Sequence, residues 1–339
     1  MNATSKKILY LKTAHVIPFK TMTEVLSNVL TETTWVFTAP DPKNPEKFSG
    51  LEIATTNPTR SIFTKVRLDS KEFQPYICKY ERFELGISLE NLYKLLKSVD
   101  KDDTMALYVE ENDKQSLIIE IENEEKKSKT FYKLKLLDLN QQSKKSTKIE
   151  FDIKITMPSS EFHKLCREMN NIAEYVEIKC TNKNIIFTCK GDCAERSTIY
   201  KSEEGGLNIS NENKKQHNII QGVYELKNIV LFTKCANLCN DISIFMKNDF
   251  ALTVIYTIAT LGTITIAISP VKEENIRNIT YDYSDEENVI SDESDEYDNV
   301  DNEDIGDIGD IGDIANITDI ADITDITNIV NIQNITNFN

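Results

Sequence analysis

Short runs of alternating apolar and polar residues occupy much of the chain up to about residue 270. A period of two puts successive side chains on opposite faces, so each run predicts a half-buried β-strand. In the first half the predicted strands are Lys7–Leu11, Thr34–Thr38, Gly50–Ala54, Ser61–Leu68, Glu72–Lys79, Met105–Glu110, Leu117–Ile121 and Thr130–Leu136. In the second half they are Phe151–Thr156, Tyr175–Lys179, Ile185–Thr188, Arg196–Lys201, Gly222–Glu225, Ile242–Met246, Leu252–Ile258 and Gly262–Ile268. The pattern predicts a sheet-rich protein.

Four segments follow a helical period instead, with apolar residues at i, i+3 and i+4 along one face. These predicted helices are Phe19–Leu30, Leu89–Val99, Ser159–Asn171 and Leu226–Leu238, two in each half. Ser159 or Ser160 is the predicted N-cap of the third helix, because a serine hydroxyl can accept from a free backbone N–H of the first turn. Each apolar face can cover a sheet. The repeated order predicts an α+β fold of two similar halves, as in a tandem duplication.

A polar stretch separates the two sets of strands. The segment Asn140–Lys148, NQQSKKSTK, has no apolar residue and cannot form a buried strand. We therefore predict a first domain at 1–139, a connector at 140–150, a second domain at 151–272 and a tail at 273–339. In the tail, Ile recurs at every third residue from Ile305 to Ile335 after an acidic segment. This period fits neither a helix nor a strand, so the tail is predicted to be a disordered low-complexity segment.

Charge is distributed unevenly along the chain. The formal net charge is −16, but residues 1–272 carry 38 Lys and Arg against 35 Asp and Glu, a net of +3. Residues 273–339 carry one basic residue, Arg277, against 20 acidic residues, a net of −19. The mildly basic part is compatible with binding to nucleic acid, and the tail could shield that part or imitate DNA toward basic partners.

All four predicted helices carry basic residues on the side opposite their apolar face. These residues are Lys20, Lys94, Lys97, Lys164, Arg167, Lys227 and Lys234. Acidic residues share the same faces, namely Glu24, Glu90, Glu161 and Glu168. A solvated helix face is often charged, so any one helix is explained equally well by simple exposure. Four such helices together favour contact with DNA phosphates.

Sequence motifs of common enzymes are missing. The chain contains no GxxxxGK[ST] loop, no HExxH and no GxSxG, and its glycines are too scattered for a dinucleotide fingerprint. Asp102–Asp103 and Glu110–Glu111 are adjacent carboxylates, but neighbouring residues of a strand face opposite sides. We therefore predict no enzyme activity and no cofactor.

The cysteines give no metal motif. The pairs Cys189/Cys193 and Cys235/Cys239 lack the two-residue spacing of a zinc knuckle, and three histidines are available. An odd number of cysteines, seven, predicts a reducing intracellular compartment. No apolar run approaches the roughly 20 residues of a membrane span, so no membrane partner is expected.

The segment MPSSEFHKLCREMNNI (Met157–Ile172), followed by YVEIKC, is similar to the start of the second domain in the proliferating cell nuclear antigen family of DNA sliding clamps. Other segments resemble further parts of that family, in order. Its last first-domain strand resembles YKLKLLDLN (Tyr132–Asn140), and its fourth helix resembles LKNIVLFTKCANL (Leu226–Leu238). Its second helix and the next strand resemble GISLENLYKLLKSVDKDDTMALYVEE (Gly86–Glu111). Trp35 and Ile268–Ser269–Pro270 stand where the family has a Trp and a closing Leu-Ala-Pro, so the resemblance covers about residues 7–272.

The resemblance implies a homotrimeric ring with sheets outside and helices around duplex DNA. The seven basic residues of the predicted helices then face the hole, and Lys129–Leu136 of one chain pairs with Glu195–Lys201 of the next. The implied partners are DNA polymerase, a clamp-loader ATPase and other replication proteins, in the nucleus or at the site of viral DNA replication. A monomeric viral processivity factor that binds DNA by charge, without closing a ring, is the alternative.

The resemblance also implies a surface that docks short peptide motifs of partner proteins. The matching positions are Thr56, Arg60, Ser61, Phe63, Ala251, Ile268, Ser269 and Pro270. The connector of the family is acidic with an apolar end, whereas NQQSKKSTK is polar and basic. We therefore expect docking at the same place with an altered motif preference.

Overall fold

The computed structural model describes residues 6–139, 149–181, 183–202, 206–211 and 219–271. The predicted connector segment Asn140–Lys148 and the predicted tail at 273–339 lie outside the described residues. The strands of the first half are β1 Lys7–Thr13, β2 Glu32–Thr38, β3 Gly50–Thr56, β4 Ile62–Asp69, β5 Tyr76–Cys78, β6 Arg82–Ser88, β7 Asp103–Glu110, β8 Asp113–Asn123 and β9 Ser128–Lys135. Those of the second half are β10 Ile153–Pro158, β11 Tyr175–Cys180, β12 Asn184–Lys190, β13 Glu195–Lys201, β14 Asn208–Asn211, β15 Ile220–Glu225, β16 Asp241–Met246, β17 Leu252–Ile258 and β18 Gly262–Ile268. The helices are α1 Val16–Ser27, α2 Leu89–Leu96, α3 Ser159–Asn170 and α4 Leu226–Val230, and the 3₁₀ segments are Ser70–Glu72 and Thr233–Asn237.

The described strands form three antiparallel sheets. Their strand orders are β5-β1-β7-β8-β9, then β14-β10-β16-β17-β18-β4-β3-β2-β6, and β13-β12-β11-β15. The nine-stranded sheet belongs to both halves, because β18 pairs with β4 from Gly262 opposite Leu68 to Ile268 opposite Ile62. The two halves are therefore joined by a continuous ladder of backbone hydrogen bonds.

The helices cover the sheets with the apolar faces that their periodicity predicts. In α1 the buried residues include Phe19, Met22 and Val25. The ring of Phe19 meets the edge of Trp35 with centroids 5.9 Å apart, and both side chains are fully buried. Burying one such side chain stabilises a fold by about 1.5–3 kcal/mol, so the aromatic pair anchors α1 to the sheet.

The predicted α+β class with two similar halves is confirmed, and most predicted strands overlap observed ones. Two strands, β6 and β14, were not predicted. In β6 the residues Phe83, Leu85 and Ile87 alternate correctly, but Gly86 interrupts the run as a strand breaker would. Glu72–Lys79, predicted as one strand, contains only the three residues of β5 in strand form after the 3₁₀ segment.

Two helix predictions are wrong in detail. Leu226–Leu238 is not one helix: α4 ends at Val230, and Phe232 and Cys235 then donate to carbonyls three residues back. The β-branched residues Val230 and Thr233 flank the break, and such side chains lose rotamer freedom in a helix. Ser159 is the first helical residue of α3 and does not cap it. Its hydroxyl donates instead to the carbonyl of Cys239 at 2.6 Å, which ties α3 to the end of the 3₁₀ helix.

Candidate nucleic-acid interface and partner-docking surface

The helices of both halves contact one another as one layer. α1 packs on α2, α3 packs on α4, and the 3₁₀ helix Thr233–Asn237 touches both α1 and α3. This layer brings together the elements that carry all seven predicted DNA-facing residues. It therefore presents a single surface that contains cations from both halves.

Four of these cations are exposed and held loosely or not at all. Lys164 has no hydrogen bond or ion pair with any described residue, and Arg167 donates through Nε to the carbonyl of His163 at 3.3 Å. Lys97 lies 5.3 Å from the centre of the Tyr93 ring. The ammonium of Lys227, 74% exposed, is 3.1 Å from a carboxylate oxygen of Glu225. Exposed pairs of this kind contribute at most about 1 kcal/mol, so these cations can turn to a phosphate.

Lys94 is exposed but pairs with an acid on its own helix. Its Nζ lies 2.6 Å from Oε1 of Glu90, four residues earlier in α2. The hydrogen bond from Lys94 lowers the pKa of the Glu90 carboxyl. Both side chains remain more than half exposed, so this pair is also weak.

The other two cations, Lys20 and Lys234, bond to neighbouring elements of the helix layer. Lys20 donates to the carbonyls of Lys97 at 2.6 Å and Val99 at 3.0 Å, just beyond the end of α2. Lys234 pairs with Glu24 of α1, and that carboxylate is only 20% exposed. Periodicity places these residues on a polar face, but it does not reveal the partners that hold them.

The predicted docking residues meet where β3, β4 and β18 run side by side. Thr56 and Ala267 lie on either side of Phe63 in the ladder, and the amide of Ser269 donates to the carbonyl of Ser61 at 2.9 Å. Phe63, Ala251 and Ala267 form an apolar cluster against which Ile149 and Phe250 pack. We refer to these five residues as the Phe63 cluster.

The predicted docking residues differ in how exposed they are. The side chain of Ile268 lies in the main core and is 1% exposed, because alternate residues of β18 face opposite sides. Ala267, which sequence reasoning missed, takes the place beside Phe63. Phe63 itself is 3% exposed. Arg60 is exposed at the β3–β4 turn, where its φ of 57° is in the left-handed region. Pro270 is half-buried beside Ser269.

Two strands at sheet edges carry exposed apolar side chains. β9 is an edge strand of the five-stranded sheet, and β13 is an edge strand of the four-stranded sheet. Phe131 on β9 is 56% exposed and Ile199 on β13 is 58% exposed. An open edge with a large apolar residue is a site for pairing with another chain.

Within the described ranges, no helix is long and apolar enough to cross a membrane. Among the same residues no group of three or more His, Cys, Asp and Glu side chains could hold a metal ion. All seven cysteines are free, and burial raises the pKa of the Cys166, Cys180 and Cys235 thiols.

Family models match both halves of the chain. Residues 11–144 match the proliferating cell nuclear antigen N-terminal domain, and residues 145–271 match its C-terminal domain. The chain belongs to the proliferating cell nuclear antigen family. The resemblance found in the sequence is therefore confirmed.

Curated relatives in the family include proteins of large DNA viruses. A protein of Acanthamoeba polyphaga mimivirus, named "Probable DNA polymerase sliding clamp", is 30% identical over 233 residues, which cover 68% of this chain and 49% of that protein. A Paramecium bursaria Chlorella virus 1 protein, named "Probable DNA polymerase sliding clamp 1", is 27% identical over 228 residues, 66% of this chain and 85% of that protein. The chain thus spans about half the length of the mimivirus relative and most of the chlorella virus one.

Proposed function

We propose that this chain is a DNA polymerase sliding clamp, a non-catalytic processivity factor that closes as a homotrimer around duplex DNA. The names of the two viral relatives and the family membership support this function. The observation that carries the ring is the pair of open edges at β9 and β13. An interface between two different edges is head-to-tail, and such interfaces make rings when the rotation closes.

The strand pairing that joins the two halves within one chain is a model for the pairing between two chains. Inside the chain, the last strand of the second half, β18, pairs with the fourth strand of the first half, β4. The corresponding free strands are β9, the last of the first half, and β13, the fourth of the second. Pairing them between chains would add a five-stranded to a four-stranded sheet, giving nine strands as in the sheet already formed.

This template also gives a register. Leu134 in β9 is equivalent to Ile266 in β18. Both side chains are buried, and each residue pairs with a buried residue of the preceding strand, Leu117 or Val254. Tyr200 corresponds to Leu68, since each pairs with a buried residue of the third strand, Ile185 or Leu51.

In the chain Thr263 lies opposite Arg67. Phe131 precedes Leu134 by three residues, as Thr263 precedes Ile266, and Ile199 directly precedes Tyr200, as Arg67 precedes Leu68. Phe131 would therefore lie opposite Ile199 of the next chain, and the two exposed apolar side chains would cover each other.

DNA would pass along the helix layer, where exposed cations attract phosphates without reading bases. Contacts of this kind are independent of sequence and allow sliding. The sequence has no phosphate-binding loop, so loading would depend on a separate clamp-loader ATPase. Polymerase and other replication proteins would dock through short peptide motifs on the surface beside the Phe63 cluster, where Arg60 is exposed and Ser269 and Pro270 are half-buried.

Charge exchange at the edge strands tests the ring and its register. Phe131→Glu and Ile199→Lys should each convert a trimer into a monomer in light scattering, because each buries a charge without a partner. The double variant should recover the trimer, since opposite charges face each other across the strands. After loading by a clamp-loader ATPase, only the wild type and the double variant should stay on a nicked circular plasmid and leave it when the plasmid is linearised.

Tyr80→Lys is the matched control, since Tyr80 is 40% exposed and belongs to neither β9 nor β13. It should leave the trimer intact. A wild-type chain that is monomeric at micromolar concentration in moderate salt would contradict the proposal. Recovery by Phe131→Glu with a lysine at position 197, but not at 199, would show that the register is different.

A further inference from the structure

Glu24 lies at the meeting point of three elements in the helix layer. It is on α1, its carboxylate pairs with Lys234 of the second half, and the nearby hydroxyl of Tyr93 on α2 helps to lower its pKa. Its side chain is 20% exposed, whereas those of Glu168 on α3 and Glu90 on α2, which are also paired, are 43% and 69% exposed. Glu24 is therefore held from both sides in a partly desolvated position.

The ionisation behaviour of the group agrees with this geometry. Burial opposes the charged form, but the hydrogen bonds from Lys234 and Tyr93 outweigh burial and lower the pKa of Glu24. Burial and the hydrogen bond to Glu24 raise the pKa of Tyr93 to about 12. The Glu24 carboxylate is therefore charged at neutral pH, and the Tyr93 hydroxyl keeps its proton.

Lys20 strengthens the same connection one turn earlier in α1. Its ammonium donates to two carbonyls that follow α2, those of Lys97 and Val99. A cation at this end of a helix satisfies free carbonyls and is favoured by the helix dipole. Through Lys20 and Glu24, α1 is bonded to α2 and to the 3₁₀ helix of the second half.

These contacts separate the basic residues into two kinds. The Lys234 side chain is 51% exposed, but moving it to a phosphate would leave a carboxylate that is only 20% exposed without its cation. This costs more than breaking a pair in which both side chains are exposed. Moving Lys20 would leave two helix-end carbonyls unpaired. Lys97, Lys164 and Arg167 have no carboxylate partner among the described residues, so contact with phosphate breaks no ion pair.

We propose that Glu24 is a positioning residue that joins the two halves across the helix layer and withholds Lys234 from DNA. Lys97, Lys164 and Arg167 are then the cations that contact phosphate, and Lys20 and Lys234 hold the layer together. This inference rests on the proposed function, because it requires DNA to pass along this layer.

The salt dependence of duplex DNA binding tests the inference through a double-mutant cycle. For B-DNA the slope of log Kobs against log salt changes by about 0.9 for each phosphate contact. Lys234→Ala alone should leave the slope nearly unchanged, whereas Lys164→Ala should make it shallower. Glu24→Gln should free Lys234 and steepen the slope by up to about 0.9 for each copy of Lys234 that reaches a phosphate. Lys234→Ala added to Glu24→Gln should remove that increase.

Glu90→Gln is the matched control, because it deletes the same charge from an inner helix but from an exposed pair. Its effect should be smaller than that of Glu24→Gln, and adding Lys94→Ala should not show the same coupling. Lys234→Ala measured alone keeps the test available if Glu24→Gln does not fold. The inference requires the slope for that single variant to match the wild type, because Lys234 is paired with Glu24 and not with phosphate.

Equal effects of Glu24→Gln and Glu90→Gln would overturn the inference, because loss of charge would explain both. A salt-dependence slope for Lys234→Ala alone that is as shallow as the slope for Lys164→Ala would also overturn the inference, since Lys234 would then already contact DNA in the wild type. Failure of the proposed function gives a different result: the wild-type trimer would then show no salt-dependent duplex binding at all.

Discussion

At the scale of residues, burial determines what an ionisable group does in this fold. His163, on α3, is 1% exposed, and its Nε2 lies 3.0 Å from the hydroxyl of Tyr256. Its Nδ1 has no hydrogen-bond partner among the described residues. Burial, together with the nearby Arg167, lowers the pKa of His163 from 6.5 to about 4. The imidazole is therefore neutral in the folded protein and serves packing, although its sequence position beside Lys164 suggests a charged surface.

This buried histidine should make the protein less stable in mild acid. The unfolded chain binds a proton at His163 near pH 6.5, but the folded chain does so only near pH 4. Falling pH therefore favours the unfolded state across that window, and the stability present above pH 6.5 is lost progressively. Denaturant unfolding between pH 7.5 and 4.5 measures the loss.

His163→Gln is the comparison for that experiment, because an amide oxygen can accept from Tyr256 and does not titrate. The variant should show a shallower dependence of unfolding free energy on pH than the wild type. Identical pH profiles for the two proteins would mean that His163 is not the group responsible.

At the scale of elements, β6 shows how a close approach of backbone overrides a local signal. The amide of Leu137 donates to the carbonyl of Gly86 at 2.9 Å as the chain leaves the first half. A Cβ at position 86 would lie 2.2 Å from the carbonyl oxygen of Leu137. The glycine therefore admits the departing chain to the edge of β6. From the sequence alone, the same glycine predicts the end of a strand.

Gly86→Ala should destabilise the first half. Relieving the overlap requires a shift of backbone, for which overpacking typically costs about 1–3 kcal/mol. Glu84→Ala, an exposed change on the same strand, should stay within about 0.5 kcal/mol. Urea unfolding of both variants gives the comparison, and equal midpoints would show that Leu137 moves away without cost.

At the scale of the whole molecule, a part with net charge +3 continues into a tail of charge −19. Attraction between exposed charges fades beyond about 8 Å at physiological salt but extends to about 30 Å at 0.01 M. Under the proposed function, the tail would therefore compete with DNA for the basic residues of the helices mainly at low salt. In a ring closed around DNA, the denser charge of DNA should prevail.

Deleting residues 275–339 should therefore raise non-specific duplex affinity at about 0.01 M salt and change it little near 0.15 M. The trimer and its melting temperature should be retained. A full-length variant in which the acidic residues of the tail become Asn and Gln should match the deletion if charge is the cause. Loss of the trimer or of folding on deletion would show instead that the Ile repeat contributes to structure.

Much of the fold follows from local sequence alone. Period-two runs predict the strands, and the face that contains Phe19, Met22 and Val25 predicts how α1 packs. These features are local, because a side chain's direction depends on the conformation of its own few residues. The duplication and the basic faces can be read for the same reason.

Contacts between distant segments were decided by the tertiary structure. Lys234 and Glu24 are 210 residues apart, and nothing in either local pattern pairs them. Ladder register placed Ala267 beside Phe63 and turned Ile268 into the core, a choice that changes with a shift of one residue. Periodicity states which side chains share a face, but packing of the two halves determines which cations are engaged and which remain exposed.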